Sequence, residues 1–201
     1  AKALGDLYAI KFADILDYID ALGQRLRLDK NEYLQEALEA SCLTSSLTPP
    51  LLKRSYESLP HLFTRKSAPE IADNTVGIDY LEGWVEKNMN DGRRVSIRAF
   101  GARALHIIAG NTPVIAGLSI LRNAITRSDA IIKSPSIDPF TALAIARTMI
   151  DLDAKHPLTK HLAVAYWKGG DEALEQKLYQ PRNIEKIVAW GGFASVKHVT
   201  K

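Results

Sequence analysis

Cysteine is almost missing from this sequence: Cys42 is the single thiol in 201 residues. One thiol excludes an internal disulfide framework and a cysteine-based metal site. Cys42 stands among Ser41, Thr44, Ser45 and Ser46 with no histidine beside it. It reads as an unreactive cysteine of the small, buried, hydrophobe-like kind. Long apolar runs are missing as well; none approaches the ~18 residues a membrane-spanning helix needs. Charge of one sign is scarce. The 26 basic and 23 acidic residues are dispersed and leave a net charge of +3, without the basic stripe that nucleic-acid binders carry. His61, His106, His156, His161 and His198 show no metal-ligand spacing. GxSxG, the Walker loop and the GxGxxG fingerprint are all absent. The opening stretch AKALGDLYAIKF reads as an amphipathic helix start, unlike a signal peptide, so a cytoplasmic protein is expected.

What is present is an ordinary globular composition, 46% hydrophobic and 24% charged, long enough to bury a real core in one or two domains. The first third is helical in pattern. Leu4, Tyr8, Phe12, Ile15, Ile19, Leu22 and Leu26 recur at three- and four-residue spacing and predict one helix over residues 3 to 27. Residues 32 to 40 look helical again. Residues 41 to 50, SCLTSSLTPP, read as a loop, and 51 to 64 as a third helical stretch that Pro60 should end or kink. Tyr80, Leu81, Trp84 and Val85 suggest a short amphipathic helix. Residues 88 to 94, NMNDGRR, form a turn, and 95 to 100 have strand character.

From Ala104 the texture changes to regular alternation, and the chain is read as a helical region, 1 to 94, and an α/β region, 95 to 201. Leu105, Ile107, Ile108 and Ala109 form an apolar run ended by Gly110, as in a strand buried on both faces. Thr112 and Pro113 suit a helix start, and Val114, Leu118, Leu121 and Ile125 line one helical face. Residues 129 to 133 are a second run, closed by Ser134 and Pro135. Asp138 and Pro139 repeat the cap-and-proline start before the helical stretch FTALAIARTMID. Strands follow at 161 to 167 and 186 to 190, with a helix at 171 to 179 between them and another beginning over 193 to 199. Four strands joined by helices predict a parallel sheet with right-handed crossovers, a Rossmann-like α/β fold behind N-terminal helices. Its polar residues collect at the strand ends, where open α/β sheets bind ligands.

Three features could carry chemistry, and each has a plainer alternative. Gly191-Gly192 follows a strand and opens a helix; it suits either a phosphate cradled on backbone amides or a tight turn. Lys133, at a strand end, could reach a ribose hydroxyl or phosphate, or be solvated. Asn111 could donate to a developing oxyanion, or bond its own backbone as turn asparagines do.

Taken in order, IIAGNTP, IIKSPSIDPF, AYWKGGD and IVAWGG resemble the acyl-CoA (fatty acyl) reductases of bacterial bioluminescence, within the aldehyde dehydrogenase superfamily. The likeness covers roughly residues 95 to 201. It implies that Asn111 is the oxyanion donor and that Lys133 holds the adenosine ribose. Ser134, Ser136, Gly170, Gly191 and Gly192 join Lys133 around the nucleotide. Gly192 replaces a serine of the superfamily, so a backbone contact must serve there. Ser136 stands where the superfamily carries a glutamate that repels a 2′-phosphate, so NADP(H) is the expected cofactor. The implied reaction reduces an acyl-CoA or acyl thioester to aldehyde through a thioester acyl-enzyme. The resemblance places the nucleophilic cysteine beyond the last matched motif, and the chain reads as a cofactor-binding fragment that is inactive alone. A homo-oligomer or an acyl-transferring partner protein is expected, and no nucleic acid. The competing readings are a non-catalytic nucleotide-binding or partner subunit of the same fold, and another thioester- or acylphosphate-reducing branch of the same superfamily.

Overall fold

The apolar periodicity of the first 27 residues makes two helices, α1 (Gly5–Ala9) and α2 (Phe12–Arg25). In this computed structural model, which describes residues 4–192, 196, 197 and 199, Ile10 is extended between them (φ −68°, ψ 131°). A distant residue causes the break. Arg127, only 5% exposed, donates from Nε to the Ile10 carbonyl (3.0 Å) and from Nη1 to the Leu81 carbonyl (2.7 Å). Its Nη2 pairs with the Glu82 carboxylate, which also accepts from the Phe12 amide (3.0 Å) at the start of α2.

The helices α3 (Glu32–Ser41), α4 (Pro49–Ser58), α5 (Ser67–Thr75) and α6 (Ile78–Glu82) follow. Asn31 caps α3 by accepting from the Leu34 amide at 2.9 Å. Pro49 and Pro50 form the first turn of α4, so the expected loop ends sooner; a proline is tolerated where no amide donor is needed. Pro60 sits in a 3-10 turn that ends this stretch. The helix expected around Tyr80 to Val85 stops at Glu82, because Gly83 is extended. Val85 instead opens β1 (Val85–Asn88), paired antiparallel with β2 (Arg94–Ile97) in a hairpin turned by residues 89–93. The strand expected at 95 to 100 is this shorter β2. Cys42 is exposed in the α3–α4 connection, not buried.

The α/β half comprises β3 (Arg103–Ile107), α7 (Val114–Ile125), β4 (Asp129–Lys133) and α8 (Thr141–Asp153). It continues with α9 (Pro157–Lys160), β5 (Leu162–Ala165), α10 (Glu172–Leu178) and β6 (Lys186–Ala189). Asp138 accepts from the Thr141 amide (3.0 Å) and hydroxyl (2.8 Å), capping α8 from outside the helix. Of the helix expected over 193 to 199, Val196, Lys197 and Val199 are helical; the remainder lies outside the described residues.

The four strands are parallel in the order β5-β4-β3-β6. The chain steps from β3 outward to β5, then returns past β3 to lay down β6. The direction therefore reverses between β3 and β6, the place where such sheets leave a crevice. The N-terminal helices pack on α7 and α8. Ile15, Leu22, Leu34, Tyr56 and Phe63 share one core with Ile120, Leu121, Ile145 and Met149. Tyr56 ties the layers further, its hydroxyl 2.7 Å from Thr141 Oγ1 and 3.0 Å from Ser41 Oγ. Among the described residues no helix is long and apolar enough to cross a membrane.

Candidate functional site

Register aligns the strand ends. Ile107 pairs with Lys133 and Ala189, and Lys133 pairs with Ala165. The four turns that leave this row wall a cleft of 1040 Å³. Asn111 enters from the turn after β3, Lys133 and Ser136 from the end of β4, Gly170 from the turn after β5, and Gly191 and Gly192 from the turn after β6. Thus six residues picked from the sequence, from Asn111 to Gly192, share one cleft.

The close fit of two of these turns depends on Gly110. A Cβ there would stand 2.4 Å from Ile137 Cγ1 and 2.8 Å from Pro135 Cγ, so only glycine lets the loop after β4 close against the turn after β3. Beside it, Asn111 is exposed and its side chain bonds nothing among the described residues. The self-bonded turn asparagine is therefore not the arrangement found. Gly170 has a φ of 87°, in the left-handed region that favours glycine. Among the described residues, a Cβ on Gly169, Gly170 or Gly192 would meet nothing within 4 Å, so these backbones face open space there.

Lys133 is half-buried. Its Nζ lies 5.1 Å from the centre of the Trp167 ring. Burial pulls its pKa below the usual lysine range, and the Glu175 charge partly offsets this. Ser134 departs from expectation. Its amide donates to the Ala165 carbonyl (2.9 Å), and its side chain is 1% exposed and lines no part of the cleft. Adjacent residues leaving a strand face opposite sides, so Lys133 and Ser134 cannot both look into the cleft.

Glu175 and Tyr179, on and just after α10, also line the cleft. Glu175 is 6% exposed and accepts from Trp167 Nε1 at 3.2 Å. The Tyr179 hydroxyl is pushed up to about 12 by burial and by Glu175. Sequence reading passed over both. Their spacing of four residues on one helix, directly after the glycine turn, was the available signal. Among the described residues no cluster of His, Cys, Asp and Glu could hold a metal ion.

The model of the family described as Acyl-CoA reductase (LuxC) matches residues 7–201. A long-chain acyl-protein thioester reductase of Vibrio harveyi is 28% identical over 192 residues, 94% of this chain and 39% of that protein. The protein of the same description from Photorhabdus luminescens is 42% identical over 107 residues, 52% of this chain and 22% of its own length. The chain thus spans well under half the length of these relatives. Among solved structures, Staphylococcus aureus betaine aldehyde dehydrogenase in complex with NAD+ superimposes with a TM-score of 0.72 at 12% identity, over 99% of this chain and 38% of its own. 3,6-Anhydro-L-galactose dehydrogenase in complex with NAP gives 0.72 at 14%, over 99% and 39%. At such identities these two show a shared fold alone.

Proposed function

The chain belongs to the acyl-CoA reductase (LuxC) family, and from that premise we propose that it supplies the NADPH-binding cleft of an aldehyde-forming fatty-acyl reductase. The observation that carries this reading is the convergence of Asn111, Lys133, Ser136, Gly170, Gly191 and Gly192 on one cleft at the sheet's reversal point.

The residues present suit a dinucleotide. Open backbone at Gly169, Gly170 and Gly192 leaves room for phosphate oxygens beside amide donors. Lys133 offers an ammonium to the adenosine ribose and its phosphate, and Ser136 offers a hydroxyl without a repelling charge. NADPH, when bound, supplies hydride. Asn111 then donates its amide to the carbonyl oxygen as negative charge gathers there. The nucleotide-binding unit is the parallel sheet β3–β6 with its helices, and helices α2 to α5 of the N-terminal region brace its α7–α8 face.

The substrate in this reading is a fatty acyl group carried as a thioester, on coenzyme A or on an acyl-transferring partner protein. It passes through an acyl-enzyme on a cysteine thiolate. Cys42 is not that cysteine, because it lies in the α3–α4 connection and does not line the cleft.

Cofactor choice at Ser136 tests the reading. At ~4 Å and an effective dielectric of about 20, a unit-charge pair costs on the order of 4 kcal/mol before relaxation. Solvent reduces that to about 1–2 kcal/mol, roughly tenfold in affinity. Ser136→Glu should therefore move the ratio of NADPH to NADH dissociation constants about tenfold toward NADH. An unchanged ratio would remove Ser136 from the ribose site.

A further inference from the structure

Acidic side chains are rarely buried without a purpose, and Glu175 is buried at the wall of the cleft. It lies one turn into α10, the helix that starts directly after Gly169-Gly170. Its neighbours Glu172 and Gln176 are exposed, whereas Glu175 is 6% exposed and faces the cleft. A carboxylate in that position needs donors and a nearby positive charge. Trp167 Nε1 is one donor, at 3.2 Å. The same indole carries Lys133 Nζ at 5.1 Å from its ring centre. Lys133 and Glu175 are thus opposite charges held by one tryptophan, and any group that Lys133 grips stands within the field of Glu175.

We infer that Glu175 is a specificity-determining residue of the cleft, its carboxylate setting how well a phosphate on the adenosine ribose is tolerated. The inference rests on the dinucleotide reading of the cleft. A ribose hydroxyl can donate to the carboxylate, whereas a 2′-phosphate meets a like charge. The loop after β4 carries serine at position 136, so the acidic group that weighs on the ribose comes from α10. Cofactor preference is then a balance: Lys133 attracts the 2′-phosphate, Ser136 is neutral, and Glu175 opposes it. A partial preference follows, adjustable in either direction by one substitution.

The test uses adenosine 2′,5′-bisphosphate and adenosine 5′-monophosphate, titrated calorimetrically into the protein and into Glu175→Gln and Glu175→Met variants. Glutamine keeps an acceptor for Trp167 Nε1. Methionine removes charge and acceptor but fills the same space against Trp167 and Tyr179, which guards against a fold lost in the first variant. In both, the bisphosphate should gain about tenfold over the monophosphate. If both ligands bind and their ratio is the same in variants and parent, the inference falls and the dinucleotide reading stands. If neither ligand binds the unaltered protein, the dinucleotide reading falls and takes the inference with it.

Discussion

Trp167 presents its ring face to Lys133 and its Nε1 proton to Glu175, so one indole sets the position of both charges in the cleft. Lys133 is thereby kept half-buried at the end of β4 instead of trailing into solvent. Lys133→Met should weaken NADPH binding by about 1.5–3 kcal/mol, the worth of a charge-assisted hydrogen bond. Burial lowers the lysine pKa, so its charge is lost at a lower pH than an exposed lysine's. NADPH affinity should accordingly fall on the alkaline side before an ordinary lysine would titrate, and the fall should vanish in Lys133→Met. Titration followed by tryptophan fluorescence measures both. An unchanged dissociation constant would make Lys133 a spectator.

Asn111 should behave differently, because an oxyanion exists only during acyl transfer. In an active reductase containing this chain, Asn111→Ala should lower kcat about a hundredfold, as loss of one oxyanion donor does elsewhere. NADPH affinity should stay within about twofold, since the side chain makes no bond that holds the turn. Lost cofactor binding with normal turnover would reverse the assignment.

Arg127 predicts an effect on stability alone. Its guanidinium bonds the Ile10 and Leu81 carbonyls and the Glu82 carboxylate, so Arg127→Met leaves two carbonyls without their donor. The cost should be about 2–4 kcal/mol, read from denaturant unfolding. Nucleotide affinity should not change, because Arg127 lies at the opposite end of α7 from Asn111. A loss under ~1 kcal/mol would mean that water replaces these bonds with little cost.

The parts of the fold that were legible in the sequence are those set by local pattern. The apolar runs and the proline and glycine stops fixed four parallel strands and the turns that end them. The break at Ile10 was not legible, because a side chain more than a hundred residues away causes it. The β1–β2 hairpin was half seen, since the residues of β1 are mostly exposed and carry no apolar alternation. At the site, Ser134 followed from resemblance, whereas strand parity alone would have turned it from the cleft. Glu175 is the opposite case. On α10 it is the acidic residue that faces inward while Leu174 stands 39% exposed, an inversion that apolar periodicity hides.

A nicotinamide dinucleotide should occupy the cleft at the carboxyl ends of β3, β4, β5 and β6. Backbone amide chemical-shift mapping on the isotopically labelled protein tests it residue by residue. On addition of NADPH, the amides of Asn111, Lys133, Ser136, Gly170, Gly191 and Gly192 should shift together and saturate with one dissociation constant. Amides around the groove lined by Gly23, Arg27, Leu38 and His61 should stay in place. Shifts confined to that groove, or none at the strand-end turns at millimolar NADPH, would contradict the account.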